Sequence, residues 1–166
     1  IVRKPGTNEP YGLIMETAFL PVFGKSEPMT PAQEVEWSKA GQMLYAEAGI
    51  TTAQEGATHA PDVALMQRVA AAGANIIDVI AYPFILDLKA VLENHPASTF
   101  GQYQDRFKLG GVKITLDGSP QGRTAFFTTP YLVDGPNGEK DWSGELPFSQ
   151  DVVNGWLKQV YDMNLP

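Results

Sequence analysis

Gly110-Gly111-Val112-Lys113-Ile114-Thr115-Leu116-Asp117-Gly118-Ser119 is the stretch on which the fold of this chain turns. Two glycines open it, a β-rich run from Val112 to Leu116 follows, and Asp117-Gly118 supplies residue types that tolerate positive φ where a strand must stop. Side chains alternate across a strand, so Val112, Ile114 and Leu116 share one face while Lys113, Thr115 and Asp117 share the other. One side is apolar; the other carries an amine, a hydroxyl and a carboxylate. If neighbours cover both faces, that polar row demands hydrogen bonds, ions or a ligand, because a lone buried charge is strongly disfavoured or titrates away.

Upstream of this stretch, helices and strands alternate. Thr30, Pro31 and Gln33 give an N-cap, a proline at the first helical position and a side chain able to reach back to the cap amide. Trp37, Ala40, Leu44 and Ala48, joined by Met43, form a stripe at helical spacing that is expected to be buried, and Gly49 is placed to end the helix. Ile50 to Gln54 is read as a strand closed by Glu55-Gly56. Thr58 to Pro61 opens a second helix, with Val63, Leu65, Met66, Val69 and Ala70 on its inner side and Gly73 at its end. Asn75 to Ala81 is a nearly continuous apolar run, the pattern of a strand covered on both faces. Leu86 to Asn94 is a third helix, residues 97 to 109 a loop, and Val112 to Leu116 the third strand. A long irregular stretch follows, with a surface loop or hairpin at 134 to 142, and Ser149 caps a last helix carrying Val152, Val153, Trp156, Leu157 and Val160. Residues 1 to 29, rich in Gly and Pro, read as an irregular entry segment with one short strand at 12 to 16.

Composition narrows the function. The 166 residues are 43% hydrophobic, enough for one sizeable core. A net charge of -7, with only 12 scattered Lys and Arg, argues against nucleic-acid and anionic-membrane partners and for small molecules or protein. With no Cys there is no disulfide and no thiolate metal site. No apolar run is long enough to span a bilayer, and a cytoplasmic location is the expectation. His59 and His95 are far apart and lack ligand-like spacing, so no complete His-based metal site can be assembled from this chain.

Alternation with short connections implies right-handed βαβ units and a parallel sheet. An open doubly wound sheet predicts a glycine-rich phosphate loop after its first strand, and neither of the two usual patterns is present. A (β/α)₈ barrel instead predicts chemistry at the carboxyl ends of the strands, and the long loop here follows the strand that bears Lys113. The fold class expected is therefore α/β: part of a (β/α)₈ barrel, about three parallel strands with flanking helices, since a whole barrel takes about 250 residues. Residues 30–166 would form this partial barrel and residues 1–29 the entry segment.

The run from Gly111 to Ser119, followed by Thr124-Ala125 and Pro130-Tyr131, resembles the centre of the metal-dependent amidohydrolase superfamily, and within it the branch that includes N-substituted formamide deformylase. Pro10-Tyr11-Gly12 with Glu16 resembles the end of that branch's inserted small domain, and Ala48-Gly49-Ile50-Thr51-Thr52 its second barrel strand. The resemblance implies a (β/α)₈ barrel containing strands two to four. It also implies a carboxylated Lys113 bridging two divalent metals, with zinc as the expected ion, and hydrolysis of an amide-like carbon–nitrogen bond by metal-activated water. Asp117 and Ser119 would contact substrate or support the groups that do. The family's His-x-His, its later histidines and its last Asp have no counterpart, so the expectation is a fragment, by itself inactive and metal-free, that self-associates through its exposed sheet.

Blander readings stand beside these. Lys113 on pattern alone is a structural or solvated lysine, Asp117-Gly118-Ser119 a strand-ending turn, His59 a loop or capping residue, and Trp37 and Trp156 core residues. Glu55 and Asp117 could be imagined as a carboxylate pair for glycoside hydrolysis, but nothing fixes their separation. The alternative for the whole chain is a complete small α/β binding or interaction domain without catalysis.

Overall fold

The computed structural model describes residues 2–12, 14 and 28–166. These group into two compact units, Met29–Thr115 with Gln150–Pro166, and Ile1–Pro28 with Leu116–Ser149. The strand expected at 12 to 16, and Glu16 itself, fall largely outside the described residues.

The first unit runs α1 (Pro31–Glu47), β1 (Thr52–Thr58), α2 (Ala60–Ala71), β2 (Asp78–Pro83), α3 (Leu88–Asn94), a 3₁₀ turn at Ala97–Thr99, β3 (Phe107–Leu109) and α4 (Gln150–Asp162). All three strands are parallel, in the order β1-β2-β3. The fold is thus α/β, a three-strand segment of the (β/α)₈ kind. Val79, Ala81, Phe107 and Leu109 point to the helix side, where they pack with Val63 and Ala70 of α2 and Val91 of α3. A second cluster gathers Ile85, Leu88 and Leu165, with Val112, Ile114 and Trp156 packed against it.

Helix ends follow the local chemistry. Thr30 Oγ1 accepts from Gln33 N at 3.3 Å while Gln33 Oε1 accepts from Thr30 N at 2.9 Å, the reciprocal pair that the sequence announces. Gly49, at φ +79°, closes α1: its amide donates to Ala46 O and that of Ile50 to Tyr45 O, each at 2.9 Å. Gly73 closes α2 in the same way, through its own bond to Ala70 O and that of Ala74 to Val69 O.

Four expectations are corrected. The stripe on α1 is out of phase: Trp37 is 65% and Leu44 69% exposed, and the buried residue is Gln42. The cause is polar. Gln42 Oε1 accepts from the amides of Ile76 (2.9 Å) and Ile77 (3.3 Å) and its Nε2 donates to Asn75 Oδ1 (3.0 Å), so the helix is turned to satisfy the chain entering β2. The first strand starts later and runs further than 50 to 54, because Ile50 is consumed by the helix exit and Gly56 is absorbed as an irregularity rather than a stop. The second strand is likewise displaced toward its carboxyl end, at Asp78–Pro83 rather than 75 to 81.

The fourth correction concerns the stretch at 110 to 119. The third strand begins at Phe107, inside the expected loop, after a tight turn in which Asp105 and Arg106 both take positive φ and Gln104 and Phe107 exchange backbone bonds. Gly110-Gly111 therefore interrupts the pairing instead of opening it. Lys113 then rejoins β2 as an isolated parallel bridge to Phe84. Glycine is required at this point by close packing: a Cβ on Gly110 would lie 2.5 Å from Ile80 Cγ2 and 2.9 Å from Tyr82 Cζ, and one on Gly111 would strike Pro166 O.

In the second unit, residues 2–11 turn back on themselves through an Arg3–Pro10 bridge. No helix or strand is found among residues 116–149, which form a chain of turns. Tyr131 Oη donates to Ala125 O at 2.8 Å, and Phe127 N and Tyr131 N donate to Ser143 O and Trp142 O at the same distance.

Gln42→Met keeps the length of the side chain and removes its acceptor from two amides at the mouth of β2. We expect a loss of about 2 kcal/mol in urea-unfolding stability. An unchanged midpoint would show that these amides find another partner.

Candidate active site

In parallel α/β sheets functional groups collect at the carboxyl ends of the strands. Here that edge is set by register. Across most of their length β1 and β2 pair in step, Thr52 with Asp78 through Glu55 with Ala81, but Thr58 then pairs with Pro83, so β1 carries one extra residue between Glu55 and Thr58. On the other side Leu109 pairs with Ala81 and Lys113 with Phe84, so the third strand also carries one extra residue, at Gly110-Gly111. Both insertions bring their strands back into phase with β2. Phe84 is thereby paired with Lys113 and meets the ring of His59, while Phe84, Val112 and Ile114 all pack against the apolar cluster of Ile85, Leu88 and Leu165.

Lys113 is half-buried, its backbone held on both sides: its amide donates to Pro83 O at 2.8 Å and its carbonyl accepts from Ile85 N at 2.9 Å. Among the described residues no side chain forms a hydrogen bond or ion pair with its Nζ. His59 is the N-cap residue of α2, and its amide donates to Asp62 Oδ2 at 3.1 Å. Its ring does more than cap. Nδ1 lies 2.8 Å from Asp87 Oδ2, and the ring stands edge-on to Phe84 with centroids 5.9 Å apart. Asp87 was not singled out by sequence reasoning. It sits 28 positions away, and the only local signal is its place just after a strand and before a helix.

Asp117 and Ser119 belong to the second unit, as Lys113 belongs to the first. Asp117 Oδ2 accepts from Phe126 N at 2.8 Å; Ser119 Oγ accepts from Gly122 N at 3.1 Å, and Ser119 N donates to Thr124 Oγ1 at 2.9 Å. Both side chains are thus engaged in shaping the loop at 117 to 126. Further along, Glu139 accepts from Asn137 through both its amide and its side chain at 2.9 Å, and these bonds, the side-chain one foremost, hold its carboxyl below the usual range. His95, half-buried beside Gln67, has its pKa lowered by burial and lies away from the carboxyl edge, beside Asn94 at the end of α3. Glu55 is exposed on β1, and its Oε1 accepts from Ala57 N at 3.1 Å.

Among the described residues no cluster of three or more His, Asp or Glu is placed to hold a metal ion. Nor is any helix among them long and apolar enough to cross a membrane. The decisive comparison is at the level of sequence: the model of the amidohydrolase family matches residues 1–166. This chain belongs to the amidohydrolase family. No curated protein matches it. Among solved structures, this amidohydrolase chain is similar to an uncharacterized metal-dependent hydrolase from Pyrococcus horikoshii OT3, with a TM-score of 0.62 and 24% identity over 82% of this chain and 27% of that one. It is also similar to an uncharacterized metal-dependent hydrolase from Pyrococcus furiosus, with a TM-score of 0.64 and 21% identity over 87% of this chain and 29% of that one. The chain therefore spans less than a third of the length of either, and the likeness is one of fold.

Asp117→Ala removes the acceptor of Phe126 N. Amide hydrogen exchange at Phe126 should accelerate about fivefold, the net worth of one such bond, with exchange in β2 unchanged. Equal exchange in both proteins would remove the loop-shaping role of Asp117.

Proposed function

We propose that this chain is the central part of a metal-dependent hydrolase that cleaves amide-like carbon–nitrogen bonds of small molecules with a metal-activated water, in the branch resembling N-substituted formamide deformylase. Lys113 carries the reading: an amine just beyond the carboxyl end of the third parallel strand, bridged to Phe84, its backbone fixed and its Nζ without a protein partner among the described residues. Such an amine, once neutral, adds to carbon dioxide; the new nitrogen–carbon bond yields a carbamate and releases a proton. The carbamate has two oxygens, each able to hold a cation.

Lys113 fits one bridging position, but a catalytic divalent ion takes about three protein ligands, and the described residues do not supply the others. The remaining ligands are assigned to sequence outside this chain, and these residues alone are expected to be inactive and metal-free. When bound, a divalent metal, zinc in this reading, supplies an acidified water and a polarised carbonyl. Asp117 and Ser119 support the site by fixing the loop after Lys113. Residues 1–29 are assigned to the end of an inserted small domain and 30–166 to barrel strands two to four. The outer sides of β1 and β3 have no neighbouring strand among the described residues, which supports self-association of the isolated chain.

The test is made on the full-length protein that contains this chain. Native mass spectrometry should show Lys113 heavier by one carbon dioxide, and Lys113→Ala should lose bound metal by elemental analysis together with hydrolysis of p-nitroacetanilide. An unmodified Lys113 in a protein with full metal content and full activity contradicts the assignment.

A further inference from the structure

The second unit carries one chemically reactive turn. Of the six asparagines in the chain only Asn137 and Asn154 precede a glycine. Asparagine is a thermolabile residue, and a following glycine, with no Cβ, lets its own backbone nitrogen approach the side-chain amide. The two pairs are held very differently. Asn154-Gly155 lies inside α4, where helical dihedrals fix each backbone nitrogen, and Asn154 Oδ1 accepts from Gln150 Nε2 at 2.9 Å. Asn137-Gly138 forms the exposed tip of a turn, with Gly138 at φ +88° and nothing within 4 Å of where a Cβ on it would stand. That tip has room to rearrange, and Glu139 restrains it. The Glu139 carboxylate accepts from Asn137 N and from Asn137 Nδ2, each at 2.9 Å, and its backbone oxygen accepts from Gly135 N at 2.8 Å. Gly138 N is itself engaged, donating to Gly135 O at 2.9 Å.

We propose that Asn137 is a deamidation site of this protein and that Glu139 governs its rate by clamping the side-chain amide. In the reaction Gly138 N bonds to Asn137 Cγ while the Cγ–Nδ2 bond breaks, and ammonia leaves with the proton that Gly138 N gives up. Water then opens the five-membered imide at either carbonyl, giving aspartate or, with the backbone rerouted through the side chain, isoaspartate. Before Gly138 N can reach Cγ, the Asn137 side chain must leave Glu139 and the bond from Gly138 N to Gly135 O must break. Water has access to the imide, because Pro136, Asn137 and Gly138 line an open groove together with Arg3 and Lys4. The new carboxylate has no proton to donate to Glu139 and faces its charge instead, so the turn loses its clamp. The change runs one way, since the ammonia is not restored.

The test follows the peptides that contain residues 137 and 154 by mass spectrometry, in the full-length protein kept in mildly alkaline buffer, folded and in concentrated urea. In urea the two pairs should convert at similar rates. In the folded protein Asn137 should convert about fivefold more slowly than in urea, the net worth of one hydrogen bond, and Asn154 more slowly still. Glu139→Ala should raise the rate at Asn137 about fivefold and leave Asn154 unchanged, so Asn154 reports on folding in the same molecule. If both sites accelerate together, the variant has opened the fold and Glu139→Gln decides, since it keeps the side chain over Gly135 and one acceptor. Acceleration confined to Asn137 there upholds the proposal, and any other result overturns it. An unchanged rate at Asn137 in folded Glu139→Ala overturns it as well. So does a folded wild type in which Asn154 converts as fast as Asn137, or in which Asn137 stays intact while the unfolded chain converts.

Discussion

Two extra backbone residues, one in each outer strand, set which side chains meet at the carboxyl edge of the sheet. Relative to β2, the first strand gains a residue between Glu55 and Thr58 and the third gains one at Gly110-Gly111. Because a strand's side chains alternate, one inserted residue inverts everything after it. Without the second insertion Val112, not Lys113, would pair with Phe84. With it, Val112 and Ile114 are left to pack against Ile85, Leu88 and Leu165. The insertion is made possible by the absence of two side chains under the ring of Tyr82.

A second constraint operates at the opposite end of the strands. The chain enters β2 through Asn75, Ile76 and Ile77, whose amides and side chain are met by one buried Gln42. Asn75 Nδ2 in turn donates to Asp105 O at 3.1 Å, and Arg106 pairs with Asp78 at 3.1 Å, across the turn where two residues with side chains take positive φ. That turn aims β3 along β2. Polar bonds at the amino ends thus fix the strands so that the register at the carboxyl ends is reproducible. Conformations uncommon for residues other than glycine persist where the surroundings over-determine them.

Much of this was legible from the residues. Thr30, Pro31, Gln33, Gly49 and Gly73 act as their chemistry dictates, and alternating elements gave a parallel sheet. Val112 and Ile114 do pack inward, but of the run from Val112 to Leu116 only Lys113 pairs with β2, as an isolated bridge. What escaped was non-local. Nothing near Trp37 says that the helix must turn to serve the amides of Ile76 and Ile77, some 34 positions on. Phe107–Leu109 is too short to declare itself and becomes a strand only by pairing with β2. His59 was visible as a cap, but its ring partner was not, because Asp87 is brought to it by the turn after β2. Asp117 and Ser119 were legible as turn residues, and their bonds to Phe126 N and Gly122 N show how the turn is made.

The working edge is defined by the side of the sheet to which Lys113 is turned. The chain has no cysteine, so single cysteines can be placed at 112, 113 and 114 and their modification by a water-soluble maleimide followed by mass spectrometry. If the Gly110-Gly111 insertion sets the phase, the thiol at 113 reacts faster than either neighbour. Faster reaction at 112 and 114 than at 113 would mean that the third strand runs without the inserted residue, and that Lys113 faces the helices instead of the working edge.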